Sequence, residues 1–224
     1  MPGDFRRGAL AMVPFMLPAV PFGILIGVAV ADHPGIPNLA GWAGAPIVLA
    51  GASHLTAITL LAEGSSAFAA ALAGMIVNAR FLMYSAALVP RFRCQPRWFR
   101  VIAPYFLVDQ LFALASTYTE ETESGFRRRY MGGAMVVFVL WTVAVASGVA
   151  LGPIVPNDLD LGFLVPLMFT GLLIPTLNRR PGVVAALVAA GITAGLSSLP
   201  NRGGLLIGAL MGAAAGLGAE RMVR

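Results

Sequence analysis

The sequence predicts an all-α, polytopic membrane protein, and three observations carry that prediction. Hydrophobic residues make up 58% of the 224-residue chain and charged residues only 11%, too few polar groups to cover a soluble domain. Eight apolar segments follow one another, bounded by glycine, proline or charge: about 8–31, 43–62, 66–90, 99–118, 131–151, 161–177, 182–199 and 203–219. Most are long enough to span a bilayer. Their uninterrupted apolar character contradicts the alternation of barrel strands, and backbone groups in hydrocarbon need internal partners, so the spans are predicted to be helices. Residues 1–224 read as a single helix-bundle domain with some segments broken or re-entrant, because no linker or appendage is long enough for a second one.

The same composition argues against several classes of function. All 15 basic residues are arginine, and the net charge of +5 reads as loop charge that sets membrane orientation. No basic stretch is interleaved with aromatic residues, so no nucleic-acid partner is expected. Cys94 is the single cysteine and can form neither an internal disulfide nor a cysteine metal site. Zinc-spaced histidines, a P-loop, a dinucleotide fingerprint and paired carboxylates are absent from the sequence, so no enzyme, metal or cofactor is expected.

Two topologies put both termini in the cytoplasm. With eight spans, Arg91, Arg93, Arg97, Arg100 and Arg202 fall outside, against a modest majority of arginines inside. If one of the first three segments and the fourth are re-entrant, the basic loop Arg91–Arg100 moves inside and Arg202 alone stays out. The first segment is about twice the length of a signal-peptide core and is rich in proline, which predicts a retained helix.

In that first segment Pro14, Pro18 and Pro21 precede Phe22 and Gly23, a pattern that breaks or kinks a helix. It predicts either a packing kink or a site where carbonyls near Leu10, Pro14 and Leu17 meet substrate. The second segment carries Ser53 and His54. Three roles are open to His54: substrate binding, proton relay, or a hydrogen bond to a neighbouring helix. Ser53 and His54 are adjacent and leave a helix about 100° apart, so they do not make a hydrolase pair. Glu63, before Gly64, is expected to end this helix at an interfacial turn.

The third segment holds Asn78 and Arg80 near its middle. An arginine at that depth costs about 3 kcal/mol unless it faces a partner, a cavity or an interface. Helical spacing puts Gly74, Asn78 and Ser85 on one face and Arg80 with Tyr84 on another. In the fourth segment Tyr105, Asp109 and Ser116 share a face, and Asp109 is the one acidic residue near a span centre. Its open roles are an ion pair with Arg80, a proton carrier, or a group that meets a substrate amine. The stretch Glu120–Glu123 with Arg127–Arg129 reads as a solvated loop. In the last segment Gly204, Gly208, Gly212 and Gly216 recur every four residues, a ridge that should pack on another helix, in this chain or in a partner subunit.

With Pro18–Gly23, Ala50–Ser53, Asn78–Ser85, Leu107–Ala113 and Asp160–Phe169 in this order, the chain resembles the AzlC family of branched-chain amino acid permeases over roughly residues 8–180. His54, Phe81 and Gln110 stand where the family commonly has glutamine, histidine and glutamate. The resemblance implies the large subunit of a bacterial inner-membrane exporter for valine, leucine or isoleucine, working with a small hydrophobic subunit of the AzlD type. On that reading Pro21, Gly23, Ser53, His54, Asn78, Arg80, Tyr84, Ser85 and Asp109 line the path. Arg80, Asn78 or backbone amides meet a carboxylate, Asp109, Ser53 or carbonyls meet an ammonium, and Phe22, Leu82 and Phe112 meet the side chain. The competing readings are a channel for another small solute and a non-transporting scaffold subunit of a homo- or hetero-oligomer.

Overall fold

The computed structural model describes residues 2–33, 35–118, 122–154, 170, 177, 180–197 and 203–223. The described residues are helical with connecting turns and fall into two compact units, Met1–Val165 and Pro166–Arg224. The sixth apolar segment, the Asp160–Phe169 motif and Glu120 lie outside the described residues, apart from Thr170 and Leu177.

The first segment is two helices, α1 (Pro2–Met16) and α2 (Ala19–Ala31), bent by 64° at Leu17–Pro18. Pro18 and Pro21 sit just before α2 and in its first turn, where an amide has no intrahelical acceptor to lose. The Pro14 carbonyl, expected to be free, accepts from the Leu17 amide at 3.4 Å. The second segment is also broken, and it begins earlier than its apolar run. Helix α3 (Asn38–Val48) ends at Leu49, whose φ of 50° is the sole positive value at a non-glycine among the described residues. Helix α4 (Gly51–Ala62) follows, closed by the expected turn at Glu63–Gly64.

The third segment runs as α5 (Ala67–Asn78) and α6 (Arg80–Arg93), interrupted at Ala79, and together they are long and apolar enough to cross a membrane. Ser66 caps α5 by accepting from the Ala69 amide. The fourth segment is the least regular. It comprises α7 (Arg97–Ile102), a 3₁₀ turn (Ala103–Phe106), extended Leu107–Val108, and α8 (Asp109–Ser116). Helix α9 (Glu123–Leu151), continued by a 3₁₀ turn to Ile154, is the other helix of spanning length and composition, and the bent α1–α2 pair makes a third candidate span. It starts well before residue 131 because Thr122 caps it, accepting from the Gly125 amide at 3.1 Å.

Helix α9 serves as a ruler for the first unit. Asp4 meets Arg128, Gly8 lies on the Arg129 backbone, Met12 borders Gly133, Gly23 borders Trp141 and Ala144, and Gly27 meets Val145 and Gly148. Helices α1 and α2 therefore run in the same direction as α9, with the Leu17–Pro18 break level with about residues 137–140. Helix α3 starts at the far end, with Gly41 against Val30, and turns at Leu49–Ala50 where Gly51 meets Phe22 and Trp141. Helix α4 then heads back, His54 lying against Gly41 and Gly44. The second segment is a hairpin that enters and leaves at the same end.

The next half repeats this plan upside down. Helix α5 returns along α4, with Gly74 beside Ser53, and α6 continues to the end where Phe92 packs on Phe126 and Tyr130. From there Phe99 packs on Tyr130, the Tyr130 hydroxyl donates to the Ala103 carbonyl at 2.9 Å, and Phe106 reaches Phe138. Then α8 climbs back, with Leu111 and Leu114 beside Gly133 and Tyr118 beside Phe126 and Arg129. Each half is thus a broken long helix followed by a helical hairpin, and the two halves run in opposite directions along α9. The Tyr105 hydroxyl donates to the Pro46 carbonyl, so the two hairpin tips touch.

This order settles where the basic loop of the first unit lies. Gln95, buried, donates to the Glu123 carbonyl and accepts from Arg127, and Arg91 donates to the Tyr118 carbonyl. The Arg91–Arg100 loop therefore shares an end with Asp4, Arg6, Arg7 and Arg127–Arg129, as the re-entrant topology requires. The loop reading of Arg127–Arg129 is corrected: all three sit in the first turns of α9. Arg128 pairs with Asp4 at 2.8 Å and Arg129 lies over the Tyr118 ring.

In the second unit α10 (Arg180–Gly195) and α11 (Gly203–Val223) pack antiparallel. Gly204, Gly208, Gly212 and Gly216 face Leu196, Thr193 with Ala189, Ala185 with Ala189, and Ala185 with Pro181, so the ridge is covered within this chain. Backbones come close enough in both units that a methyl group decides stability. A Cβ at Gly148 would collide with the Ile24 carbonyl, whereas one at Gly3 meets nothing within 4 Å. Gly148→Ala is expected to cost about 1–3 kcal/mol, read as a lower melting temperature in detergent, with Gly3→Ala unchanged as the control.

Candidate functional site

Four chain breaks meet near the middle of α9: Leu17–Pro18, Leu49–Ala50, Ala79 and Leu107–Val108. Backbone groups released there cannot turn to water inside an apolar layer, which makes such a level tolerable only inside protein or beside a cavity. Two long helices and two hairpin tips supply it with side chains from both directions.

Asp109 is the first residue of α8 and is placed by the hairpin tip rather than by helical register. Its Oδ2 accepts from the Arg80 guanidinium at 2.9 Å and its Oδ1 from the Tyr84 hydroxyl at 2.7 Å. Arg80 and Asp109 keep only 26% and 27% side-chain exposure, so the pair is largely removed from solvent. The Tyr84 ring stacks on Phe112 with centroids 4.2 Å apart, and the Arg80 guanidinium sits over Phe81. The α8 N-terminus adds its partial positive charge beside the carboxylate. Arg80 and Tyr84 reach one acceptor because α6 spaces them by four residues.

The other expected residues distribute around this pair. Asn78 ends α5, and its Oδ1 is buried without a hydrogen-bond partner. Ser53 is buried and donates to the Ala50 carbonyl across the first hairpin tip. His54 Nε2 donates to the Gly41 carbonyl at 2.9 Å, fixing the second arm of that hairpin and leaving Nδ1 as an unpartnered buried acceptor. Arg80 Nε and Trp141 Nε1 are buried donors without a partner. Pro21 is exposed, and Gly23 packs against Ala144 and Trp141 of α9. Ser85 turns to a separate cavity with Leu88, Phe92 and Leu107.

The shared face expected for Tyr105, Asp109 and Ser116 does not form, because Leu107–Val108 is extended and breaks the register. Tyr105 instead ties the two tips together, and Ser116 bonds back to the Phe112 carbonyl. Trp141 was hidden by its apolar surroundings, and no sequence signal marks it. Among the described residues no three His, Cys, Asp or Glu side chains cluster as metal ligands. Besides the ion pair, this part of the unit holds buried unpartnered donors at Arg80 Nε and Trp141 Nε1, unpartnered acceptors at Asn78 Oδ1 and His54 Nδ1, and the unpartnered Thr142 hydroxyl.

Residues 14–155, well over half of the chain, match the family described as AzlC protein. The chain belongs to the AzlC family. It is 28% identical over 208 residues to the inner membrane protein YgaZ of Escherichia coli (strain K12), which covers 88% of this chain and 83% of that relative. No solved structure matches the chain. In this AzlC-family membrane protein the matched region begins near the end of α1 and ends just past α9, so it contains α2, both hairpins, the α5–α6 helix and the Arg80–Asp109 pair.

Removing one member of the pair leaves the other charge without its counter-charge. Arg80→Gln or Asp109→Asn alone is expected to destabilise the protein by about 3 kcal/mol, and Arg80→Asp with Asp109→Arg should recover a good part of that. Thermal unfolding in detergent checks it, and equal losses in all three variants would contradict a direct pairing.

Proposed function

We propose that this chain is a secondary transporter that exports branched-chain or other small apolar amino acids across the bacterial cytoplasmic membrane. In this proposal residues 1–224 act as one transporter domain, with a small hydrophobic partner subunit of the AzlD type. The observation that carries the reading is the oppositely directed pair of broken helix and hairpin in the first unit. Inverted repeats of this kind build midplane sites in transporters, where helix breaks and half-helix ends meet the solute. Membership of the AzlC family, together with the resemblance to its branched-chain amino acid permeases, supports the substrate class.

The roles follow from the chemistry at that level. Arg80 and Trp141 offer donors to a carboxylate, Asn78 and His54 offer acceptors to an ammonium, and Phe22 and Phe112 present apolar surface to a branched side chain. Asp109, held by Arg80 and Tyr84, is the proposed proton carrier. The arginine-rich end of the first unit is assigned to the cytoplasm, since short cytoplasmic loops carry the excess of arginine; both termini are placed there. A pore is disfavoured because the two hairpin tips touch where a continuous polar lining would run.

Proteoliposomes containing this chain and its small partner should show saturable efflux of leucine, isoleucine or valine. Asp109→Asn, where it still assembles, should lower that flux about tenfold or more. Unsaturable flux would favour a pore, and no substrate-dependent flux with the partner present would remove the transporter reading.

A further inference from the structure

Between α6 and the descending arm formed by α7 and its 3₁₀ turn lies a cavity of about 270 Å³. Its composition changes along its length. Arg93 and Arg100 border it at the arginine-rich end, Leu88 and Phe92 line its wall, and Ser85 and Leu107 lie inward. Ser85 follows Tyr84 and Leu107 stands two residues before Asp109, so the inner end lies at about the level of the ion pair, although Arg80, Tyr84 and Asp109 face elsewhere and do not line it. Neither Arg93 nor Arg100 has an ion-pair partner among the described residues.

The matching space in the other half, between α2 and α3, is filled. Gly41 packs on the Val30 side chain so closely that a Cβ would collide with it, Ala45 is fully buried, and the Trp42 indole donates to the Thr142 carbonyl at 3.2 Å. The two halves repeat the same plan in opposite directions, yet the interface is open in one and closed in the other.

We propose that this cavity is a second solute site, an access chamber that takes a small carboxylate with a branched apolar tail before it reaches Arg80 and Asp109. Two unpaired guanidinium groups at the mouth attract the carboxylate, and the apolar wall accepts the tail and rejects charged side chains. The volume falls below the ~300–1,000 Å³ typical of drug-sized ligands, which suits a solute of a few heavy atoms. The closed counterpart makes this an inward-open arrangement. The inference rests on the transporter reading and adds to it where the solute waits and which charge it presents.

The test uses the full chain with its partner in inside-out vesicles, in a Cys94→Ser background, with Ser85→Cys as the reporter and a membrane-impermeant thiol reagent as the probe. Modification is expected from the arginine-rich side and should be slowed about fivefold or more by saturating leucine, but not by arginine. Val89→Cys, on the same wall, gives the same reading if Ser85→Cys does not accumulate. Arg93→Gln and Arg100→Gln should each raise the half-saturating leucine concentration about three- to fivefold with the maximal rate kept, and lysine at either position should restore it. Vesicles that export leucine while the reporter is unreactive, or equally reactive with and without leucine, would overturn the chamber and leave the transporter reading intact. Vesicles that export no branched-chain amino acid would overturn that reading, and the chamber with it.

Discussion

A backbone amide or carbonyl that leaves a helix inside an apolar layer has no water to turn to, and this constraint organises the first unit. Its breaks are not scattered along the chain. They gather at one level of α9, where the Tyr105 hydroxyl serves the Pro46 carbonyl, Asp109 opens α8, and Ser53 serves the Ala50 carbonyl. Helix α9 itself stays unbroken for 29 residues and supplies Gly132, Gly133 and Gly148 as seats for α1, α2 and α8. The close approach of these backbones lets the interrupted helices hold their places without long continuous hydrogen-bond ladders.

The Arg80–Asp109 pair depends on that arrangement and also secures it. An arginine alone at mid-depth costs about 3 kcal/mol, and a lone aspartate there would be neutralised or expelled. Brought together by the α5–α6 break and the second hairpin tip, each removes the cost of the other, and Tyr84 occupies the second carboxylate oxygen. A pair held by two separately interrupted elements is well placed to sense their relative movement, because any shift of the tip changes its geometry.

The legible parts of the fold were those written in local chemistry. Proline at 14, 18 and 21 marked the first break, Gly64 the interfacial turn, and the glycine period of α11 a packing ridge. Arg80 and Asp109 stood out because charges are rare in apolar runs, and their partnership was an open option that the structure realises. The hairpins were legible only in part. A re-entrant fourth segment and one of the first three stood as one of two topologies, but the sequence did not say where the chain turns: Leu49 and Leu107–Val108 follow Pro46 and Pro104 by three residues, and the contacts that hold the turns come from distant residues such as Tyr105 and Phe138. The Arg127–Arg129 cluster was placed in a loop by its charge, whereas Asp4 and Gln95, far away in sequence, and the Tyr118 ring give it partners within the helix.

The second segment enters and leaves at the same end of the first unit, and the placing of the Arg91–Arg100 loop beside the N-terminus depends on it. This is tested most directly by the sidedness of two positions in the membrane: the native Cys94, and Ser65→Cys in a Cys94→Ser background, each probed with an impermeant thiol reagent. The account predicts that Cys94 is modified on the same side as the N-terminus and the residue-65 position on the opposite side. The reverse assignment, which an uninterrupted span through the second segment would give, would contradict it.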